Sequence, residues 1–329
     1  MVLDQLAREL LGALKWPSDA DPSSDQLPLS YWRVTRLVNA VRRRKGMEEV
    51  THVAVRNRWA QLTSSVIRGI QVIPESSYMG LQRSSIAFSF YWDSPSNRRF
   101  GVDAELLWRS VGGGEVERVS VGRVYDTARY LARLEVLHAG DDEIQETLHR
   151  VEEFLRVNSG EVISVNPYVP LYTPTKWDSG RKERKVLALL TSNPRSVLES
   201  REFSEQVRRL TASRSFRIEP VLDGRKFIGG LMYQVVCFSN GGGVMGLKST
   251  LGDRVLLAKD SFRGLDMVVS FADSVSELDG VLSKVSRELP GASLLWRHSS
   301  YYNRENVHYS ALLRETRAEG IPGAQRPCV

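Results

Sequence analysis

Three carboxylates, Asp93, Asp103 and Glu105, have a spacing that can support metal chemistry. An apolar run predicts a strand over residues 100–108, on which Asp103 and Glu105 alternate and share one face, and Asp93 ends the preceding predicted strand. Carboxylates placed in this way can hold Mg²⁺ or Mn²⁺ for phosphodiester hydrolysis. A solvated sheet face explains the same alternation. The three are candidate catalytic residues, with Asp103 and Glu105 as candidate metal ligands, and Mg²⁺ or Mn²⁺ is expected only if the protein is a nuclease.

His308 is a candidate general base near the C-terminus. Together with His298 it flanks a tyrosine-rich stretch that also contains Arg297 and Arg304. Such a stretch can stack on bases and contact phosphates, or its histidine can accept a proton during catalysis. A half-buried aromatic element explains the same residues, so this stretch does not by itself predict a reaction.

Arginine is abundant and clustered in this chain. There are 36 arginines and 9 lysines, and a genome rich in G and C explains this ratio but not the clustering. Residues 31–60 have eight basic and two acidic side chains, and residues 176–226 have thirteen and seven, so each segment has a net charge of +6. A guanidinium group suits bidentate phosphate contacts and stacking on bases. Trp32, Trp59 and Trp177 lie beside the two clusters and could stack on unpaired bases. The candidate nucleic-acid contacts in these segments are Arg33, Arg36, Arg42, Arg43, Arg44, Arg181, Lys182, Arg184, Lys185, Arg208 and Arg209.

The periodicity of apolar residues predicts a mixed α/β (α+β) fold. Its first half is expected to combine N-terminal helices, an antiparallel meander and a helical pair. The helices are expected over about 2–14, 29–45, 122–138 and 141–157, and the strands over 53–59, 66–73, 86–92 and 100–108.

The second half is predicted to be a mixed α/β domain. Its expected elements are a strand over 185–190, a helix from Pro194 to about 210, strands between 216 and 271, and a capped helix over 274–289. Xaa-Pro steps without any period predict a linker or crossing loop at 161–180. We therefore expect domains over 1–160 and 181–318, followed by a flexible tail over 319–329.

This predicted order of strands and helices resembles, in topology alone, that of RNase H-like nucleases. Those enzymes bind metal through an Asp-Gly pair in the first strand, where this sequence has Val55-Arg56-Asn57. The resemblance implies a nuclease-like core, and the departure from the Asp-Gly pair puts the activity of that core in doubt.

The charge distribution favours a nucleic-acid-associated protein that contacts the phosphates of DNA or RNA through its arginine clusters. The alternative is a structural or regulatory protein that binds another copy of itself or a protein partner, because residues 61–175 have a net charge of −4. The third hypothesis is the metal-dependent nuclease. Enzymatic activity therefore stays open at this point.

Cysteine usage and hydropathy bear on the cellular compartment of the protein. Cys237 and Cys328 cannot form a disulfide framework, and no targeting signal or run of about 18 apolar residues is visible. The sequence predicts a cytoplasmic protein without a membrane partner.

Overall fold

The computed structural model describes most of the chain in a series of segments. They are residues 4–15, 27, 31–76, 81–92, 102, 104–125, 127–168, 181–198, 200–222, 231–237, 249–252, 255–258, 266–272, 274–289 and 292–302. The helices are α1 (Gln5–Ala13), α2 (Tyr31–Arg44), α3 (His52–Ser65), α4 (Ala104–Val111), α5 (Asp141–Val157), α6 (Arg181–Ser192), α7 (Pro194–Leu198), α8 (Ser204–Ala212) and α9 (Val275–Glu288). The strands are β1 (Ile67–Pro74), β2 (Gln82–Tyr91), β3 (Val116–Val124), β4 (Arg129–His138), β5 (Glu161–Pro167), β6 (Phe216–Leu222), β7 (Leu231–Cys237), β8 (Val255–Ala258), β9 (Asp266–Ala272) and β10 (Ala292–Tyr302).

Two sheets organise the described residues. The larger sheet is antiparallel throughout and has the order β5-β2-β4-β3-β10-β7-β9-β8. The smaller is a two-stranded antiparallel ribbon, in which β1 pairs with β6 from Ile67–Leu222 to Pro74–Phe216. Because β1 and β6 are far apart in sequence, the ribbon joins the N-terminal segment to the middle of the chain.

The larger sheet repeats one topology twice. Elements β2, α4, β3, β4, α5 and β5 follow one another in the split β-α-β order, also called ferredoxin-like. The second set consists of β7, a helical turn at 249–252, β8, β9, α9 and β10. Equivalent strands have equivalent places, β5-β2-β4-β3 in one set and β10-β7-β9-β8 in the other, and β3 pairs with β10 where the sets meet.

Apolar side chains fill separate cores between these layers. Ile86 and Phe88 of the sheet pack with Leu107 of α4 and Val151 of α5. The outer face of the ribbon packs against α6 to α8, with Ile218 in the same core as Leu187. A third core holds α1, α2 and α3 together and reaches the start of the ribbon. Its fully buried members include Leu10, Leu11, Val38, Val55 and Leu62.

The predicted α/β mixed class is confirmed, since helices and antiparallel sheets make up the fold. The predicted helices at 141–157 and 274–289 are also present as α5 and α9. At the start of α9 the Ser274 side chain accepts a hydrogen bond from the Glu277 amide at 3.1 Å, as expected for a capping box. Strands form close to the predicted 66–73 and 86–92, but β1 pairs with β6 instead of joining β2 in a meander.

Three predicted strands are helices. Residues 53–59 belong to α3, where Thr51 caps the Ala54 amide at 3.2 Å and apolar side chains are buried two turns apart. Residues 104–108 belong to α4, whose buried residues recur at helical spacing. Residues 185–190 belong to α6. Short apolar runs carry no clear period, so tertiary packing decided between helix and strand at each place.

The helix predicted over 122–138 is wrong as well. Residues up to Val124 belong to β3 and residues from Arg129 belong to β4, with a turn between them. On β4 the apolar residues Ala132, Leu134 and Val136 alternate with Arg133 and Glu135, which is the two-residue period of a strand. Both charged residues are buried, although their alternation with apolar residues is the sequence pattern of a strand.

The resemblance to RNase H-like nucleases does not survive these corrections, because the strand that was compared with their metal-binding strand is helix α3. Strand β5 occupies residues 161–167 of the predicted linker. The rest of that linker from 169 and the tail over 319–329 lie outside the described residues. The division into domains 1–160 and 181–318 stays a prediction. Among the described helices, none is both long enough and apolar enough to cross a membrane.

Candidate nucleic-acid interface

The start of α3 is fixed beside α2 by side-chain hydrogen bonds. The Asn39 side chain donates to the carbonyl oxygen of Val50 at 3.0 Å and accepts from the amide of the same residue at 2.9 Å. Thr51 then caps α3. These bonds place His52, the first residue of α3, against the N-terminal turn of α2.

An aromatic cluster covers the meeting point of the two helices. The Trp32 ring stacks on the His52 ring with centroids 4.1 Å apart and an interplanar angle of 13°. Tyr31 meets His52 edge-on at 6.0 Å and Trp59 edge-on at 5.8 Å. Although one face of its ring lies against His52, Trp32 is 65% exposed.

Arginines flank this cluster on both helices. Arg36 follows Trp32 by one helical turn, Arg56 follows His52 by one turn, and both are exposed. We call Tyr31, Trp32, Arg36, His52 and Arg56 the α2–α3 surface. Neither arginine of this surface has an ion-pair partner within the described part of the chain.

The five arginines predicted on α2 have different roles. Arg42 is structural, because it donates to Glu9 at 2.9 Å and to the carbonyl oxygen of Glu48 at 2.6 Å. Arg33 is half-buried and engaged in other contacts. Arg43 is exposed and pairs with Glu49 at 3.2 Å, while the exposed Arg44 has no acidic partner among the described residues.

The second predicted cluster lies on α6 and α8, which pack against each other. Lys182, Lys185 and Arg208 are exposed, and within the described residues they have no ion-pair partner. Arg209 donates to Glu183 at 3.2 Å and to Glu205 at 2.6 Å. Arg184 is half-buried and engaged, and the side chain of Arg181 lies outside the described part of the structure.

Of the nuclease candidates, the described residues include Glu105 alone. Glu105 lies on helix α4 instead of a strand, and its carboxylate pairs with Arg109 at 2.8 Å. Asp93, Asp103 and His308 lie outside the described residues, as does the side chain of His298. A search of the described residues finds no group of three or more metal-ligating side chains of the His, Cys, Asp or Glu type.

The sequence analysis missed a layer of buried charge between the two sheets. Arg83 of β2 donates to Glu117 of β3 through two hydrogen bonds of 2.9 and 3.1 Å. Arg118 and Arg133 both donate to the Glu135 carboxylate, Arg118 at 3.3 Å. We call the following residues, of which all but the half-buried Glu75 are buried, the ionic layer: Glu75, Arg83, Glu117, Arg118, Arg133, Glu135, Arg217 and Glu219.

The ribbon contributes its own charges to the ionic layer. Arg217 donates to the Tyr168 hydroxyl at 3.0 Å and lies 3.7 Å from a carboxylate oxygen of Glu219. Glu219 in turn lies 3.9 Å from Arg118 of the sheet. The layer has four arginines and four glutamates, so its formal net charge is zero and its residues bind the ribbon to the sheet.

Charges within the layer keep Glu135 and Arg83 ionised. Burial by itself raises the pKa of Glu135, but the positive charges of Arg133 and Arg118 outweigh it and lower this pKa to about 2. Burial likewise opposes the charge of Arg83, and the carboxylate of Glu117 raises the pKa of Arg83 above its ordinary value. A usable sequence signal did exist, because Arg-x-Glu occurs on two strands, as Arg133-x-Glu135 and as Arg217-x-Glu219.

Comparisons with known proteins add no family. No family model matches the chain and no curated protein matches it. A solved structure titled as an anthrone oxidase-like protein has 11% identity and a TM-score of 0.30 over 71% of this chain and 98% of its own. A chlorite dismutase from Candidatus Nitrospira defluvii has 11% identity and a TM-score of 0.28 over 71% of this chain and 94% of its own. The small subunit of acetolactate synthase from Thermotoga maritima has 10% identity and a TM-score of 0.18 over 68% and 97%.

These similarities are too low to support an inference about function. The candidate interface therefore rests on the side chains of the α2–α3 surface and on the basic residues of α6 and α8.

Proposed function

We propose that this protein binds nucleic acid and contacts its phosphates with exposed arginines of α2 and α3. One observation carries the proposal. Arg36, Arg44 and Arg56 are exposed on two adjoining helices and, among the described residues, have no acidic partner. An anionic ligand would supply the missing counter-charge.

The contrast with the other arginines supports this proposal. Arg42 and the four arginines of the ionic layer each have a carboxylate oxygen no more than 3.7 Å from a guanidinium nitrogen. A guanidinium that is left without such a partner at the surface keeps its donors free for phosphate oxygens. The basic residues of α6 and α8 provide a second place where the same backbone could be contacted.

Salt dependence is the signature of such binding. Each phosphate that a protein neutralises contributes about 0.9 to the slope of log K against log salt for duplex DNA. A protein that neutralises three phosphates should therefore lose about 40-fold in affinity between about 50 and 200 mM salt. We also propose a cytoplasmic location. The chain has two cysteines, which is too few for a disulfide framework of the kind that secreted proteins carry.

The experiment measures binding of fluorescent single- and double-stranded DNA and RNA at these two salt concentrations. The test variant replaces Arg36 and Arg56 with Glu. Its matched control replaces Arg109 and Arg287 with Glu, because these exposed arginines lie on α4 and α9 and undergo the same change of charge. We expect at least a tenfold loss for the test variant and less than a threefold loss for the control. No binding of any of the four nucleic acids at the lower salt concentration would refute the proposal.

A further inference from the structure

We propose that Trp32 is a stacking platform for an unpaired base, so that the preferred ligand of the α2–α3 surface is single-stranded nucleic acid. This inference rests on the proposed function and adds the strandedness of the ligand. It depends on the juxtaposition of an exposed indole ring, the histidine behind it and the arginines beside it.

Within the described residues, His52 is the ring that stacks on Trp32. His52 covers one face at 4.1 Å and nearly in parallel, and the indole is nevertheless 65% exposed. The histidine is itself fixed, because it follows the capping residue Thr51 and meets the ring of Tyr31 edge-on. A ring that is already ordered loses little conformational entropy when a second planar group stacks on its free face.

The side chains around the ring favour a base over an apolar partner. Arg36 and Arg56 lie one helical turn from Trp32 and His52, and within the described residues no carboxylate pairs with them. A base that stacks on Trp32 is attached to a phosphate on each side, which these arginines can reach. Stacking platforms flanked by basic residues are the usual means of binding single strands without reading their sequence.

A duplex cannot use this surface in the same way. The faces of its bases are covered by neighbouring base pairs, and only their edges are accessible in the grooves. Edges are read by hydrogen bonds from polar side chains, so the exposed indole of Trp32 has no planar face to contact in a duplex groove. Only an unpaired base offers the planar face that the Trp32 ring can contact.

The experiment compares three oligonucleotides of equal length: a single strand, the corresponding duplex and a single strand with abasic sites. The test variant is Trp32→Ala, and the matched control is Tyr91→Ala, which removes another exposed aromatic ring on β2. Loss of one base–aromatic stack weakens binding by about 5- to 140-fold. We expect this loss for the single strand with Trp32→Ala, a loss below twofold with Tyr91→Ala, and partial recovery with Trp32→Phe.

Two further readouts separate a stacking role from a structural one. The salt dependence should be the same for Trp32→Ala as for the unchanged protein, because no phosphate contact is removed, whereas Arg36→Glu with Arg56→Glu should reduce it. The abasic strand should bind the unchanged protein as weakly as the normal strand binds Trp32→Ala.

The possible results distinguish this inference from the proposed function. If the duplex binds as tightly as the single strand, or if Trp32→Ala binds the single strand within twofold of the unchanged protein, the stacking role is wrong and nucleic-acid binding stands. If no oligonucleotide binds, the proposed function fails first. Binding of poly-glutamate with the same dependence on Trp32 would assign the surface to an acidic protein partner and would overturn the inference.

Discussion

Replacement of Glu135 by Gln tests whether the ionic layer stabilises the fold. The Glu135 carboxylate is buried and accepts hydrogen bonds from Arg118 and Arg133. The substitution keeps the shape of the side chain, removes its charge and replaces one acceptor oxygen by an amide donor. Two buried guanidinium groups then lose their shared counter-ion. Breaking a buried ion pair in this way typically costs about 3–5 kcal/mol.

The lowered pKa of Glu135 implies a stabilisation of similar size. Its value falls from the ordinary 4.5 to about 2 in the folded protein. Such a decrease corresponds to about 3 kcal/mol of folding free energy. Because the folded-state pKa is lowered, this stabilisation is fully present above about pH 4.5 and is lost as the pH falls towards 2.

Urea unfolding of the two proteins provides the assay. At about pH 7, Glu135→Gln should reduce the free energy of unfolding by about 3 kcal/mol. The difference from the unchanged protein should decrease as the pH is lowered below 4.5, because unfolding of the unchanged protein is then favoured by uptake at Glu135 of a proton that the folded protein binds only near pH 2. The control is Glu105→Gln, which breaks an exposed pair with Arg109 and should cost less than about 0.5 kcal/mol.

A loss for Glu135→Gln no larger than that of the control would refute the view that the ionic layer is a stabilising network. A difference that stays constant down to about pH 3 would refute the lowered pKa, because protonation of the unchanged protein would then have no effect on stability.

Two other predictions concern the stability of the fold. The first concerns the bidentate Arg83–Glu117 pair: Arg83→Met together with Glu117→Leu should destabilise the protein less than Glu117→Leu alone. The double change leaves no buried charge without its partner. Urea midpoints that rank the two variants in the opposite order would contradict this expectation. The second is Ser274→Ala, which should lower the free energy of unfolding by about 1 kcal/mol because the cap on the Glu277 amide is lost. Ser274→Thr is the control, because it retains a hydroxyl group. An unchanged thermal midpoint for Ser274→Ala would show that this cap is not needed.

The sequence predicted those elements that carry their own local signals. Helix α5 has acidic residues in its first turn and buried residues at helical spacing, and α9 has a capping box, so both helices were predicted nearly to the residue. For α3 a strand was predicted even though Thr51 offers an N-cap. Residues 53–59 are rich in β-branched and aromatic side chains, and they form a helix because tertiary contacts bury Val55 and Leu62 on one side.

Pairing between distant strands could not be predicted from local patterns. The partner of β1 is β6, between 142 and 155 residues away along the chain, and the partners in β3 and β10 are between 171 and 184 residues apart. The candidate surface was predicted in part. The arginines of α2 were named from their positions on the helix, whereas the stack of Trp32 on His52 depends on where α3 begins, and that segment was predicted as a strand.

The structure divides the arginines of this chain into two kinds, which their number alone does not reveal. Arg83, Arg118, Arg133 and Arg217 lie on strands, are buried, and face an equal number of glutamates, as the cost of burying an uncompensated charge requires. A genome that favours arginine can place this residue in a protein core only where a carboxylate balances its charge. No such constraint acts on the exposed Arg36, Arg44 and Arg56, which lack an acidic partner within the described residues and leave their charge at the surface. The surface is therefore where a charge-dependent function has to be sought.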